Sequence, residues 1–372
     1  MRISDRYIGK QVLLGTLYAV FVLGVVLVLG NLFKEIKTLL VEHKAPLELV
    51  IRFVISVLPV SLTYTVPWGF LSAVLVVFGR LSSNHEITSF RVAGLSLVRL
   101  SVPVFIIGAA LSLLSLWLNM NVVPHSQASV SQLIYEQAAR DPFSLLKPGV
   151  AQGDFKEDGE TISKLLIEGK SGEWVEGFHL YVLPNQKGTA QDSSQLTYIH
   201  AAKAALSVDT MKSQLRLKLE DAYFETRDAD GKTSMAFAGE AEPLVIDLKN
   251  SHTRKLKARA MSNQEILLEL ATNKTLSSEK QLKMRSEMTT RYSFSMACIA
   301  FAFIAVPLGL QTRRRDSSSG LILSLLIGTG YFLITMMAGQ AKSHSAAMII
   351  LWAPNVICVL LGLYLFRRAR FK

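Results

Sequence analysis

Cysteine is nearly absent. Only Cys298 and Cys358 occur in 372 residues, both inside long apolar runs, where a thiol serves as a small packing group. A disulfide framework is therefore excluded. Nucleotide-binding glycine loops are also missing. Gly-Lys occurs at Gly9-Lys10, Gly169-Lys170 and Gly231-Lys232, and none has the glycine five residues earlier that a P-loop requires. The seven histidines are scattered, and His85-Glu86 is not followed by a second histidine at zinc-protease spacing. They read as structural or surface residues, and the expectation is no metal and no cofactor.

Charge is missing from long stretches. Val12 to Phe33, Phe53 to Gly79 and Leu100 to Gln132 contain no Asp, Glu, Lys or Arg, although 19% of the chain is charged and 50% is apolar. The apolar pattern returns in Tyr292 to Thr312, Ser317 to Ala341 and Ser343 to Phe366. Each run is near or above the roughly 20 residues that cross about 30 Å of hydrocarbon as a helix. Six membrane spans follow. The first run is too long for the apolar core of a signal peptide and is followed by no small-residue cleavage site, so it reads as retained. Ion-coupled transport and intramembrane proteolysis both need ionisable groups within spans, and these runs have almost none.

The net charge of +11 comes from basic residues beside the spans, the pattern of membrane orientation rather than of nucleic-acid binding. With the N-terminus inside, cytoplasmic segments carry Arg2, Arg6 and Lys10, then Arg80, Arg91 and Arg99, then Arg313 to Arg315, then Arg367, Arg368, Arg370 and Lys372. Both termini are thus expected in the cytoplasm. The first outer loop breaks the rule with Lys34, Lys37, Lys44 and Arg52, offset in part by Glu35, Glu42 and Glu48. Read without further context, these form a solvated helix end with i, i+3 and i, i+4 pairs.

Between the two apolar triplets the chain is polar. Strand-like runs cover Thr161 to Glu168, Gly177 to Leu183, Leu196 to His200, Gln214 to Tyr223 and Leu244 to Leu248, separated by turn signals such as Pro184-Asn185 and Asp228-Ala-Asp-Gly231. An antiparallel sandwich or jelly roll is expected, followed by a helical connector over Asn263 to Met288. The fold class is α+β: six transmembrane helices, three plus three, with a β jelly-roll domain inserted between the third and fourth. The expected divisions are 1–121, 122–290 and 291–372.

One cytoplasmic segment stands out. Ser82, Ser83 or Asn84 offers a helix start, Glu86 falls in its first turn, and Gly94 marks a stop. Ile87, Phe90, Arg91 and Gly94 recur at i, i+3, i+4 and i+7, which places Ile87 and Phe90 on one face. Such a helix, about 82–97, either lies in the membrane interface or docks on a partner.

Four local matches now bear on the choice: Asp5-Arg6-Tyr7-Ile8, Glu86-Ile-Thr with Ala93-Gly-Leu-Ser96, Val306-Pro-Leu-Gly309, and Trp352-Ala-Pro-Asn355. In this order, the chain resembles the LptF/LptG permeases of lipopolysaccharide export, with a lean to the LptF branch. The resemblance implies a non-catalytic subunit of an ABC-type exporter in the bacterial inner membrane, which draws lipopolysaccharide from the outer leaflet. Implied partners are a paralogous permease, a cytoplasmic LptB-type ATPase dimer, a single-span LptC-type protein and a periplasmic jelly-roll bridge. It implies that Glu86, with Ile87, Phe90 and Arg91, couples to the ATPase, and that Lys34 and Lys37, with Lys44 and Arg52, meet lipid phosphates. Two rival readings are a membrane-anchored periplasmic scaffold or sensor, and a lipid head-group enzyme using Glu42, His43 and Glu48.

Overall fold

The structure, a computed structural model, describes residues 3–37, 47–140, 149, 152–157, 160–171, 174–182, 196–209, 214–227, 233–240, 244–247, 258–273, 276–311, 317–341 and 343–370. They form two compact units, Met1–Val130 with Lys257–Lys372, and Ser131–Leu256.

Six helical stretches of the first unit are long and apolar enough to cross a membrane. They run through α1 (Ile3–Lys37), α2 (Leu47–Ser83), α4 (Leu97–Trp117) continued into α5 (Val123–Arg140), α7 (Ser278–Ser295) continued into α8 (Ala297–Gln311), α9 (Ser317–Met337) and α10 (His344–Arg370). Among the described residues two short α-helices join them, α3 (Glu86–Val92) and α6 (Asn263–Thr272). The connector expected from the sequence is divided. Ser262 and Glu265 form a capping box that starts α6, whereas the segment from Ser278 runs on into the fourth span.

α2 and the α7–α8 stretch are the most enclosed spans, and α1 is the least. Phe70, Leu71, Leu75, Phe78 and Leu81 of α2 pack against Ala297, Ala300, Phe301, Ala305 and Val306 of α8. Lipid tails are as apolar as leucine, so this association rests on close van der Waals approach and interhelical hydrogen bonds. Gly309 supplies the first: a Cβ there would stand 2.8 Å from the Phe78 Cβ and 3.4 Å from the Gly79 nitrogen. Asn355 supplies the second. Its Nδ2 donates to the Ser293 carbonyl and Oγ at 2.9 and 3.0 Å, and its Oδ1 accepts from the Tyr331 hydroxyl at 3.2 Å. The break between α7 and α8 has a visible companion, because the Ile299 amide donates to Ser112 Oγ at 3.2 Å.

The second unit is an antiparallel sheet of β1 (Gln152–Glu157), β2 (Glu160–Ser171), β3 (Trp174–Val182), β4 (Leu196–Asp209), β5 (Gln214–Arg227), β6 (Thr233–Glu240) and β7 (Leu244–Asp247). Its order is β1-β2-β3-β4-β5-β6, with β7 paired to the start of β5. From β1 to β6, neighbours in space are neighbours in sequence, an antiparallel meander, and β7 skips β6 to pair β5. The short polar β1, and β6 with its Met235 and Phe237, were not among the runs expected from the sequence.

The register places Glu168, Gly177, Ala202, Asp221 and Gly239 on one line across β2 to β6. At that line the inward alternation slips by one, so that Val175 and Phe178, Ala201 and Ala204, and Leu219 and Ala222 are all buried. Gly177 (φ 61°) and Asp221 (φ 50°) adopt left-handed backbone there, the local cost of turning the same face inward on both sides of a crease. The opposite face carries rings in register: His179 opposes His200, which opposes Tyr223, which opposes Phe237. Burial, then Tyr181 and Glu225, raise the Tyr198 phenol above its usual range, and its oxygen lies 2.7 Å from His179 Nδ1.

Candidate functional site

Two places in the helical unit are candidate sites. The first is α3 and its flanks. α2 runs through Ser82 and Ser83, so the helix start expected at Ser82, Ser83 or Asn84 is displaced. His85 turns the chain with φ 60°, and α3 begins at Glu86 without a side-chain cap. The C-terminal stop is where the sequence placed it. Gly94 takes φ 83°, its amide donates to the Arg91 carbonyl and the Leu95 amide donates to the Phe90 carbonyl, both at 3.0 Å. This pair of bonds is a Schellman motif, with Phe90 and Leu95 packed on the same core.

The periodicity expectation for Ile87 and Phe90 meets a packed environment. Ile87 is 7% exposed within the transmembrane core, and Phe90 is packed against it. Glu86 and Arg91 remain outside. Tyr7 of α1 donates its hydroxyl to Glu86 Oε2 at 3.0 Å, and Asn84 Nδ2 reaches Oε1 at 3.4 Å. Nearby, Arg99 meets Asp5 at 3.4 Å and Arg80 donates to Gln11 Oε1 at 2.6 Å. The first turns of α1 therefore hold the residues on both sides of α3. Arg91 lines a hollow of about 440 Å³ together with Thr88, Gln311 and Arg368.

The basic residues between the first two spans are placed unequally. Lys34 and Lys37 stand in the last turns of α1, and Lys44 lies outside the described residues. Arg52, in the first turns of α2, donates to Glu48 Oε1 at 2.7 Å in an exposed i, i+4 pair.

The second site was not anticipated. A hollow of about 630 Å³ is walled by Leu27 of α1, Val57, Tyr64 and Trp68 of α2, Phe294 and Phe301 of α7 and α8, and Phe332 and Met336 of α9. Its polar rim includes Arg259, Ser286, Glu287 and Thr290. Arg259 Nη2 donates to the Tyr64 hydroxyl at 2.9 Å, and its Nε lies 3.9 Å from Glu287 Oε2. Glu287 Oε1 is 3.7 Å from Nε of Arg291, which is 3% exposed. Arg291 also donates to Asn263 Oδ1 and to the carbonyls of Ala258, Arg259 and Met261. It ties the chain returning from the β-domain to the fourth span. Sequence reading put Arg291 at the flank of that span; helix packing encloses it.

Comparison with known proteins decides the family. The lipopolysaccharide export system permease LptF/LptG family matches residues 6–368. The chain belongs to the LptF/LptG family. It is 21% identical over 369 residues to the lipopolysaccharide export system permease protein LptF of Escherichia coli K12, covering 97% of this chain and 93% of that protein. The LptF proteins of Escherichia coli O157:H7 and Shigella flexneri match at the same identity and coverage. Membership of the LptF/LptG family makes this a multi-pass inner-membrane protein of lipopolysaccharide export, with six apolar helices and an antiparallel β insert.

Three local likenesses to the LptF/LptG family thereby gain a structural reason. Asp5-Arg6-Tyr7-Ile8 holds Arg99 and Glu86, Val306-Pro-Leu-Gly309 brings α8 onto α2, and Asn355 of Trp352-Ala-Pro-Asn355 joins α10 to α7 and α9. Arg259, Tyr64 and Glu287 were missed. Their only sequence signal was a tyrosine inside an apolar run, with a base and an acid in the polar stretch before the fourth.

Proposed function

We propose that this chain is the transmembrane permease subunit of an ABC-type exporter that extracts lipopolysaccharide from the outer leaflet of the inner membrane and passes it to a periplasmic bridge. It faces a paralogous permease, both termini and α3 lie in the cytoplasm, and the β-domain and its LptC-type and bridge partners lie in the periplasm. Extraction needs external energy, because each buried CH₂ is worth about 0.8 kcal/mol and a lipid with several chains is held by tens of kcal/mol. The chain has no nucleotide loop of its own. An LptB-type ATPase dimer supplies the work.

The observation that carries this reading is how α3 is mounted. Ile87 and Phe90 seat the helix in the transmembrane core while Glu86 and Arg91 stay outside. A helix seated in the bundle by Ile87 and Phe90, with Glu86 and Arg91 flanking that same face, transmits a push into the bundle and offers Glu86 for a charge-assisted contact. Ile87 and Phe90 thus act by seating the helix. At the opposite end of α1, position 34 lies two turns beyond the hollow-lining Leu27 on the same helical face, which suits a phosphate contact by Lys34, with Lys37 beside it. Lys44 and Arg52 belong to the same loop, Arg52 exchanging Glu48 for phosphate.

The test uses the complete complex. Glu86→Lys and Arg91→Ala should lower ATPase co-purification or lipopolysaccharide release without lowering thermal stability, whereas Ile87→Ala should lower stability. Unchanged export and ATPase association in Glu86→Lys would refute the coupling role.

A further inference from the structure

The chain leaves the helical unit for the β-domain through α5 and returns through residues 258–261. Both passages are tied to one turn of α7. On the returning side, Arg291 donates from Nη1 to Asn263 Oδ1 at 2.7 Å, and from Nη2 to the carbonyls of Ala258, Arg259 and Met261 at 3.1, 3.2 and 2.8 Å. On the outgoing side, Asn119 Nδ2 donates to Ser295 Oγ at 3.1 Å, and that hydroxyl donates to the Arg291 carbonyl at 2.7 Å. Arg291 and Ser295 share a helix face at i, i+4. Ser293, on the other side of the turn, donates to the Leu351 carbonyl and accepts from Asn355, which fixes the turn to α10.

Regular helix is interrupted beside both ties. Asn119 sits in a π-helical stretch, Leu118–Val122, that joins α4 to α5 and buries Leu118 and Asn119. α7 gives way to α8 at Met296, directly after Ser295. Such π-turns gather at functional positions. Stability alone does not call for the arrangement, because a buried charge with its hydrogen bonds gains little over apolar packing of the same size. It supplies direction instead. A planar guanidinium holds several carbonyls in one orientation, as an ammonium does not.

We propose that residues 291–295 of α7 are the junction through which movement of the spans reaches the β-domain, with Arg291 the positioning residue for the returning chain and Asn119 for the outgoing one. This rests on the transport reading above and adds the step between bundle and β-domain, the handover of the lipid. A push delivered at α3 reaches α2 and α8 through the core that Ile87 shares with them, and α8 forms one span with α7. With both ties made, the two chain segments follow α7. With either lost, the spans cycle while the β-domain stays behind.

The experiment uses the full exporter complex in phospholipid vesicles, with a photocrosslinking residue at position 27, two turns before Lys34, to report lipid held by the spans. ATP turnover, capture of lipopolysaccharide at position 27 and its release to the periplasmic bridge are measured together. Arg291→Gln should leave turnover and capture within about twofold of native and lower release per ATP about tenfold, the scale of hydrogen bonds lost from a charged donor. Arg291→Lys should keep part of that release. Asn119→Leu keeps a side chain of similar size and leaves Ser295 bonded to the Arg291 carbonyl, and it should lower release per ATP about threefold. Unchanged release per ATP in either Arg291→Gln or Asn119→Leu overturns the proposal and leaves the transport reading standing. So does a fall of turnover, capture and thermal stability in step with release in Asn119→Leu, which makes the tie structural only. A native complex that captures and releases no lipopolysaccharide overturns the transport reading and this one with it.

Discussion

The Tyr7 hydroxyl donates to Glu86 Oε2 at 3.0 Å, joining residues 79 positions apart. The acidic residue of the proposed coupling helix is therefore held by the first turns of α1, the helix that also lines the larger hollow through Leu27. Tyr7→Phe removes only the hydroxyl. We expect assembly with the ATPase to persist and ATP-driven lipopolysaccharide release to fall about two- to tenfold, since one hydrogen bond to a charged group is worth roughly 1.5 kcal/mol or somewhat more. Release in reconstituted vesicles, measured beside ATP turnover, checks this. An unchanged ratio of lipid released to ATP hydrolysed would detach Tyr7 from coupling.

Gly94 ends α3 at φ 83°, and a Cβ there would meet nothing within 4 Å. Gly94→Ala thus tests backbone strain alone, at a cost of about 1–2 kcal/mol. The strain falls on the Schellman turn, so transport should drop while the thermal midpoint of the bundle moves little. Limited proteolysis between positions 92 and 97 should become faster in the variant.

Asn355 bridges α10 to Ser293 and Tyr331 from within the apolar packing. Asn355→Leu removes one side of that network and leaves the Tyr331 hydroxyl without its acceptor. A loss of about 1 kcal/mol is expected, in keeping with interhelical polar contacts in membranes. A detergent-unfolding titration measures it. Tyr331→Phe in the same background should restore part of the loss, because both partners are then apolar.

Gly177 is the tightest point of the β-domain crease. A Cβ there would lie 2.5 Å from the Glu168 Cγ, and φ is 61°. Gly177→Ala should lower the stability of the β-domain by more than 1 kcal/mol, roughly the left-handed penalty alone. The double variant with Glu168→Ala should recover the clash but not the backbone strain. Hydrogen exchange of β2 to β5 in the full chain separates the two contributions.

The order of elements was legible because it depends on local pattern. Runs without charge must lie in hydrocarbon, their lengths match its thickness, and a polar stretch of alternating residues between them can satisfy its backbone only as a sheet. Gly94 was readable for the same reason: a helix that must stop uses the residue that tolerates positive φ. Periodicity also grouped Ile87 with Phe90. Which way that face points was not in the spacing, since an apolar face suits a partner groove as well as its own bundle.

Tertiary packing decided the rest. Arg259 finds Tyr64 across 195 residues, Arg291 becomes enclosed by the chain returning from the β-domain, and the crease needs five strands in one register before Gly177 and Asp221 have a reason to turn. The sequence by itself determined six spans, a β insert and a charged turn between the second and third spans, because hydrophobicity and helix termination act within a few residues. Only the folded chain decided which charges meet, because that depends on how close small residues such as Gly309 let the helices come.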